Sequence, residues 1–250
     1  WPARLLLLVA RLIARIPFAA LYMSDTMIVA WLALCYLLAG IMLLTKASRR
    51  FRILLPIGIA LSALTLALVS ARLYYASGTG TISVIDVGQG QSIAVYAGDS
   101  TVVIDCGNTY SRSDAGDLTG GYLLGCGRRQ VDVLMLTHLH ADHADGVLRL
   151  MELIPVKEIL MPADPDDADA LLEAILASAQ RHDTEVCFIA EDEIRLAGGI
   201  RLELFAPLDA GDVNERCLTA RVSLGEYDML VTGDIDKPAE HKLLSGHDLS

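Results

Sequence analysis

The sequence predicts an α/β domain in which sheet is covered by helices, preceded by a segment of apolar helices. From Thr81 onward, short apolar runs alternate with Gly- and Asp-containing turns, first at hairpin spacing and then separated by stretches with helical spacing. The charge is unevenly placed, with a net of +6 over residues 1–70 and −17 over residues 71–250. This asymmetry is typical of a membrane segment joined to a water-soluble domain, and less typical of one globule.

Residues 25–72 contain the two longest apolar runs, which we predict to be transmembrane helices. Residues 27–44 provide 18 uncharged residues and residues 53–69 provide 17, close to the roughly 20 that a crossing needs. The loop between them is basic, with Lys46, Arg49, Arg50 and Arg52. Because positive loops stay in the cytoplasm, we expect everything after residue 71 to be extracytoplasmic. A pair of buried core helices is the alternative.

Residues 1–24 form an apolar stretch with Arg4, Arg11 and Arg15 on one side of a helix. This pattern predicts an amphipathic interfacial helix in contact with membrane lipid, with a signal peptide as the rival interpretation. The chain opens on Trp1, and we expect a fragment of a longer protein. The five cysteines show no CxxC pair and no regular spacing, so we expect no disulfide framework.

Residues 80–250 are predicted to form one domain, truncated at its C-terminus. The predicted strands are TISVIDVGQG, SIAVYAG, STVVIDCG, VDVLMLTH, VKEILMP, EVCFIA, IRLELFAP, ARVSLG and DMLVTGD. Helical spacing is found in residues 145–153 and 167–181. Strands in hairpins, followed by strands alternating with helices, predict a sheet covered by helix.

The motif THLHADH follows the apolar strand VDVLML and concentrates metal donors within six residues. Its donors are His138, His140, Asp142 and His143. Imidazole nitrogens and carboxylate oxygens suit zinc and similar divalent ions. A lone histidine would be a surface or hydrogen-bonded residue, but three histidines and an aspartate on one turn predict a site for one or two ions.

Three further aspartates stand at strand ends: Asp86, Asp105 and Asp234. Such residues are often only turn formers. A site with two ions needs an anionic ligand between them, so Asp234 is predicted to bridge. Asp86 and Asp105 are predicted to accept hydrogen bonds from ligating histidines, with turn formation as the alternative. The remaining histidines, His182, His241 and His247, are expected at the surface, with a place among the metal ligands as the alternative.

Four segments together resemble the C-terminal part of the ComEC family, the DNA-internalisation competence proteins of bacteria. They are DVGQGQS (86–92), LTHLHADH (136–143), NERCLTARVSLG (214–225) and VTGD (231–234). The resemblance implies a metallo-β-lactamase-like αββα sandwich, here partial. It also implies a multi-pass channel in the bacterial cell membrane whose extracytoplasmic domain degrades the non-imported strand. Single-stranded DNA and other competence proteins would be its partners.

The resemblance also implies a ligand set for two divalent ions, zinc or manganese. His138 and His140 would hold one ion, and Asp142 and His143 the other. Asp234 would bridge the two ions, and Asn214 would occupy the place where many superfamily members have another histidine.

This chain departs from the family pattern at three positions. Gln91 stands where the family form has aspartate, His140 where many members have aspartate, and Cys217 where serine is usual. A further family motif, a histidine pair followed by glycine, would lie beyond Ser250.

Hydrolysis by a metal-activated water is the predicted chemistry, with Asp142 or Asp234 orienting the water. The sequence contains no G-x-S-x-G and no cysteine beside a histidine. The acidic charge argues against DNA binding by this domain alone, and Arg128 and Arg129 form its only tight basic pair. A membrane-tethered hydrolase of a small ester or lactam, and a non-catalytic metal-stabilised gating domain, are the alternatives.

Overall fold

The structure is a computed structural model that describes residues 26–44, 48–76, 80–163, 165, 169–205 and 216–247. The chain divides into two compact units, Trp1–Val69 and Ser70–Ser250. The helix predicted for residues 1–24 and the site residue Asn214 lie outside the described residues. The predicted domain boundaries stay predictions.

The described residues of the first unit lie in α1 (Thr26–Leu44) and in α2 (Arg49–Ala76), apart from residue 48, and the last residues of α2 belong to the second unit. The indole Nε1 of Trp31 on α1 donates a hydrogen bond to the Ala60 carbonyl of α2 at 2.7 Å. Both apolar runs that the sequence predicted as helices are therefore helical in the structure.

The prediction of a membrane location is wrong. Over the part of the chain that the structure describes, no helix combines the length and apolarity that a membrane crossing requires. A crossing needs about 20 consecutive apolar residues. Helix α1 has 19 residues, and α2 begins on Arg49 and contains Pro56. The expected transmembrane helices and the extracytoplasmic placement are corrected by this finding. The contact of residues 1–24 with membrane lipid stays a prediction, because those residues lie outside the described ones.

The second unit contains two sheets. The first sheet runs β1-β2-β3-β4-β5-β6 and comprises β1 (Gly80–Val84), β2 (Ile93–Ala97), β3 (Ser100–Ile104), β4 (Val131–Met135), β5 (Val156–Pro162) and β6 (Glu185–Ile189). The second runs β10-β9-β8-β7 and comprises β7 (Glu193–Ala197), β8 (Ile200–Phe205), β9 (Thr219–Leu224) and β10 (Tyr227–Val231). In the first sheet β1 to β3 pair antiparallel and β3 to β6 pair parallel, whereas the second sheet is antiparallel throughout.

Among the described residues of the second unit, five further helices connect or follow these strands. They are α3 (Ala115–Gly125), α4 (Ala141–Ala144), α5 (Val147–Leu153), α6 (Asp169–His182) and α7 (Lys237–Gly246). One buried cluster joins the first sheet to α3, α5 and α6, and a second lies between the two sheets. The predicted mixed α/β layering is therefore found. The sequence did not predict α3, α4, β7 or α7.

The alternation of side chains along the central strands explains this layering. On β3, Val103 packs into the helix-side cluster, while Val102 and Ile104 pack between the sheets. Successive side chains of a strand point to opposite faces, and both faces of the parallel strands are covered, which explains their nearly continuous apolar sequences. The carboxyl ends of β3 and β4 therefore emerge side by side, and the candidate site lies there.

Candidate metal centre

The metal donors lie on the turn that follows β4. His138 and His143 are buried, at 3% exposure each, and their ring centroids are 4.2 Å apart. The turn is closed by the carbonyl of His140, which accepts hydrogen bonds from the backbone N–H groups of His143 and Ala144, both at 2.9 Å. This tight turn returns His143 toward His138 within five positions, so local sequence spacing brings the two rings together.

Asp105, directly after β3, holds this turn in place through hydrogen bonds. It is fully buried and has a left-handed backbone with φ of 56°, which aspartate tolerates better than most residues. Its carboxylate accepts from the backbone N–H of Thr137, the hydroxyl of Thr137 and Nδ1 of His143, each at 2.8 Å. It also accepts from Nε2 of Gln91 at 2.9 Å. The structure thus places Asp105 against a donor histidine. Its role in orienting a metal ligand stays a prediction.

These contacts assign the tautomers of both buried histidines. The single hydroxyl proton of Thr137 goes to Asp105, so the 3.1 Å contact between Thr137 Oγ1 and His138 Nδ1 requires the proton on His138 Nδ1. His143 donates its Nδ1 proton to Asp105. When the rings are neutral, both Nε2 atoms therefore carry free lone pairs.

Asp234 reaches the histidines from the second sheet. It follows Gly233 after β10, and its Oδ1 lies 3.3 Å from His143 Nε2. The backbone N–H of Leu218, just before β9, donates to the Thr137 carbonyl at 2.8 Å. The second sheet is thereby fixed to the donor turn, and the site lies where the ends of both sheets meet.

Burial and neighbouring charges set the protonation of the site. Burial, reinforced by the charges of His143 and His140, lowers the pKa of His138 to about 3, so its ring is neutral at pH 7. Burial also lowers the pKa of His143, but the hydrogen bond to Asp105 and the nearby carboxylates outweigh burial and raise it. Burial raises the pKa of Asp105 more than its hydrogen bonds with His143 and Thr137 lower it. In the absence of metal, the Asp105–His143 pair is therefore suited to holding a proton.

The donor set fits a divalent metal ion. One ligand atom each from His138, His143 and Asp234 lies within 4.8 Å of the other two. His138 Nε2 is buried and has no hydrogen-bond partner among the described residues, and an unpaired buried polar atom is costly. Two imidazole nitrogens and a carboxylate oxygen around one point are ligands that suit zinc and similar ions.

The other predicted donors lie close by but outside this three-residue cluster. His140 is exposed, and its ring stands nearly perpendicular to that of His138 at a centroid distance of 4.6 Å. Asp142 is half-buried in the first turn of α4. The structure therefore brings together three of the five predicted donors. The second ion and a catalytic role for Asp142 or Asp234 stay predictions.

The remaining predicted site residues are placed as follows. Asp86 is exposed, and its carboxylate accepts from the backbone N–H of Gly88 at 3.3 Å, the contact of a turn former. His182 and His241 are exposed as expected. His247 is partly buried and pairs with Asp192 at 2.7 Å, a long-range contact that the sequence did not indicate.

Three residues near the donors had no predicted role there. Thr137 connects Asp105 to His138, and Gln91 donates to Asp105. Cys217 is buried beside Gly233, and burial raises the pKa of its thiol to about 12. The thiol is therefore protonated at neutral pH, which makes Cys217 a poor nucleophile.

Comparison with known proteins establishes the family. Residues 85–249 match the metallo-beta-lactamase superfamily, and the chain belongs to it. The function class that this membership gives is a metal-dependent hydrolase. Among solved structures, the metallo-beta-lactamase fold protein YhfI from Bacillus subtilis has a TM-score of 0.45 and 17% identity, covering 62% of each chain.

Two curated proteins are similar in sequence to this chain over a small part of their own length. ComE operon protein 3 of Bacillus subtilis is 24% identical over 189 residues, which is 68% of this chain and 24% of that protein. The uncharacterized protein YcaI of Escherichia coli is 23% identical over 163 residues, or 64% of this chain and 19% of that protein. The chain thus spans about a quarter or less of these relatives' length.

Proposed function

We propose that the domain is a metal-dependent phosphodiesterase that cleaves single-stranded DNA, and that it degrades the non-imported strand during bacterial DNA uptake. The observation that carries the proposal is that three ligand atoms, one each from His138, His143 and Asp234, lie within 4.8 Å of one another. The similarity to ComE operon protein 3 supports the link to competence. Other competence proteins would be its partners in this process.

The residues around the donors would have different roles in hydrolysis: some position the ligands and others orient the attacking water. A divalent ion bound by them would supply Lewis-acid activation of water and of a phosphoryl oxygen. His138 is held in position by Thr137, and His143 by Asp105. The side chain of Asp234 is 47% exposed, so it faces solvent as well as the donors and can orient an attacking water. Asp142, half-buried on the same turn as His143, is the second candidate for this role.

Tyr110 supports a nucleic-acid substrate over a small ester or lactam. Its side chain is 95% exposed, although its backbone has a φ of 54°, a conformation that costs an L-residue roughly 1–2 kcal/mol. The flanking residues hold it in place: the N–H of Thr109 donates to the Gln89 carbonyl at 2.7 Å, and Asn108 Nδ2 donates to the Ser113 carbonyl at 2.8 Å. A well-anchored loop therefore presents a bare aromatic ring to solvent.

The same loop starts at the metal donors. Gly107, three residues before Tyr110, packs directly on the backbone of His143. Three residues span at most about 11 Å, so Tyr110 lies within this distance of Gly107. Arg112, also exposed, follows two residues later. An aromatic ring for base stacking and a cation for phosphate are the two elements of a single-strand binding surface.

The proposal is tested by hydrolysis assays on the protein stripped of metal and reloaded with zinc or manganese. The substrates are an end-labelled single-stranded oligonucleotide, a chromogenic phosphodiester, a carboxylic ester and a β-lactam. We expect metal-dependent cleavage of the oligonucleotide, abolished in His138→Gln and retained in His241→Ala, whose histidine is exposed on α7. Hydrolysis of the ester or the lactam without cleavage of the oligonucleotide would overturn the proposed substrate class. Metal binding without any hydrolysis would identify a non-catalytic domain.

A further inference from the structure

Gln91 is connected to three parts of the metal-donor region. Its backbone N–H donates to the carbonyl of Asp142 at 2.9 Å, and its own carbonyl accepts from the N–H of Gly107 at 3.1 Å. Its side-chain Nε2 donates to Asp105 Oδ2 at 2.9 Å. The loop between β1 and β2 is thereby joined both to the donor turn and to the end of β3.

The close approach of this loop requires the glycine that precedes Gln91. Gly90 has a φ of 155°, and a Cβ there would meet the backbone oxygens of Gly107 and Asp142. The backbone of residue 91 is therefore fixed relative to the donor turn. The side chain of Gln91 extends from this fixed backbone toward Asp105.

The amide of Gln91 is chemically suited to this place. Asp105 Oδ2 accepts from the Thr137 hydroxyl, from His143 Nδ1 and from Gln91 Nε2. Each donor restrains the rotation of the carboxylate, and the direction of the carboxylate sets the orientation of the His143 ring. A glutamate of the same shape would be an acceptor when ionised and would face the carboxylate of Asp105 with a second negative charge.

We propose that Gln91 is a positioning residue for the metal donors, acting on His143 through Asp105. Its amide holds the carboxylate in the orientation that accepts the Nδ1 proton of His143, which directs Nε2 toward Asp234. Gln91 thus contributes to metal affinity without touching the ion. This proposal rests on the metal-binding part of the proposed function and is independent of the substrate.

The test compares four proteins: wild type, Gln91→Met, Gln91→Glu and Gln89→Ala. Methionine keeps the length of the side chain and removes the donor without adding charge, whereas glutamate keeps the shape and reverses the polarity. Gln89 is the matched control, since its side chain is exposed and its carbonyl contact with Thr109 is made by the backbone, which the substitution keeps.

Two readouts separate positioning from a general loss of fold. The first is the Kd for Zn²⁺ alone, measured by competition with a chelating dye. The second is the tautomer of His143 in the metal-free protein, measured by long-range ¹H–¹⁵N NMR of the imidazole at a pH high enough for the ring to be neutral. We expect Gln91→Met to raise the zinc Kd about tenfold, as other substitutions behind a metal ligand do, and Gln91→Glu to raise it further. Both variants should also populate the other tautomer of His143, and Gln89→Ala should match wild type.

An unchanged zinc Kd together with an unchanged His143 tautomer in both Gln91 variants would overturn the proposal. Should one variant fail to fold, the other decides the outcome, because they perturb the site in different ways. Failure of the proposed function is a separate result. Wild-type protein that binds zinc but leaves single-stranded DNA intact would refute the nuclease activity and leave the role of Gln91 standing.

Discussion

Gly233 lies so close to Thr137 that a Cβ added to the glycine would be 2.9 Å from the Cβ of the threonine. Thr137 belongs to the donor turn after β4, and Gly233 belongs to the end of β10 in the other sheet. This contact brings the end of β10, and with it Asp234, next to the donor turn. Because Gly233 also has a φ of 59°, the position requires glycine both for its backbone conformation and for the space available.

Gly233→Ala should therefore destabilise the fold and weaken metal binding. The matched control is Gly225→Ala: Gly225 has a φ of 64°, and a Cβ there would have open space around it. The control should cost only the backbone strain, about 1–2 kcal/mol, with an unchanged zinc Kd. Gly233→Ala should cost a further 1–3 kcal/mol or so from overpacking and raise the zinc Kd. Chemical denaturation measures the free energy of unfolding, and zinc titration measures the Kd. Equal effects of the two substitutions would contradict a close contact between Gly233 and Thr137.

His138→Ala and Asp234→Ala should each lower bound metal and abolish hydrolysis. Each removes one of three donors that lie within 4.8 Å of one another. His140→Ala should have a smaller effect on metal content, because its ring is exposed and lies outside that cluster. Metal content after dialysis, measured by atomic emission, distinguishes these cases. A loss in His140→Ala as large as that in His138→Ala would show that His140 is an equal ligand.

Acidification should destabilise the metal-free protein through His138. Its pKa falls from an ordinary value of 6.5 to about 3 in the folded chain, so between these values the unfolded state binds more protons. Stability is therefore lost as the pH falls through this window. From about pH 7 to pH 5, wild type should lose roughly 1–2 kcal/mol more than His138→Gln.

Comparison with His138→Gln is needed because His143 acts in the opposite direction. Its raised pKa contributes stability that is present at low pH and is lost as the pH rises, and this contribution is present in both proteins. Denaturant unfolding of both proteins at about pH 7 and pH 5, with a chelator present, measures how much stability each protein loses between the two pH values. Parallel pH profiles for the two proteins would show that His138 is not held neutral by the fold.

Tyr110→Ala should weaken the binding of single-stranded DNA and leave the chemical step intact. Loss of one stacked base costs about 1–3 kcal/mol, which corresponds to a rise in KM of roughly 5- to 150-fold at constant kcat. Alanine keeps the Cβ and hence most of the backbone strain. Tyr227→Ala, which removes an exposed tyrosine from β10, is the control and should leave KM unchanged. A fall in kcat at constant KM would place Tyr110 in a different role.

The metal donors could be predicted from the sequence because their signal is local. His138 and His143 fall within one short motif after an apolar strand, and Asp234 stands at a strand end. Their supporting contacts could not be predicted in the same way. The bond from Thr137 to Asp105 joins residues 32 positions apart, and that from Gln91 to Asp105 joins residues 14 apart. Both depend on which strands lie side by side, and local spacing carries no information on that.

The strands were largely predictable because their apolar runs are bounded by turn residues, whereas helix α3 was not. Its sequence, AGDLTGGYLLG, contains four glycines, and glycine costs about 1 kcal/mol relative to alanine inside a helix. Packing provides the explanation. A Cβ on Gly116 would meet the backbone of α5 and of Gly146, and a Cβ on Gly120 would lie 2.9 Å from Leu153 Cδ1. The glycines permit a close approach of two helices, and this tertiary contact overrides local propensity.

Alanine substitutions at two glycines of α3, Gly121 and Gly116, should therefore change the stability of the protein in opposite directions. Gly121 is exposed, and a Cβ there would meet nothing within 4 Å, so Gly121→Ala should stabilise the protein by about 0.5–1 kcal/mol through helix propensity. Gly116→Ala gains the same propensity, but its Cβ would meet backbone atoms of Gly146 and Leu150, which cannot move aside cheaply. We expect a net loss of about 1–3 kcal/mol and some displacement of α5, which follows the donor turn. Thermal and denaturant unfolding of the two variants measure the contrast. Equal stabilisation by both would mean that α3 and α5 lie farther apart than the structure places them.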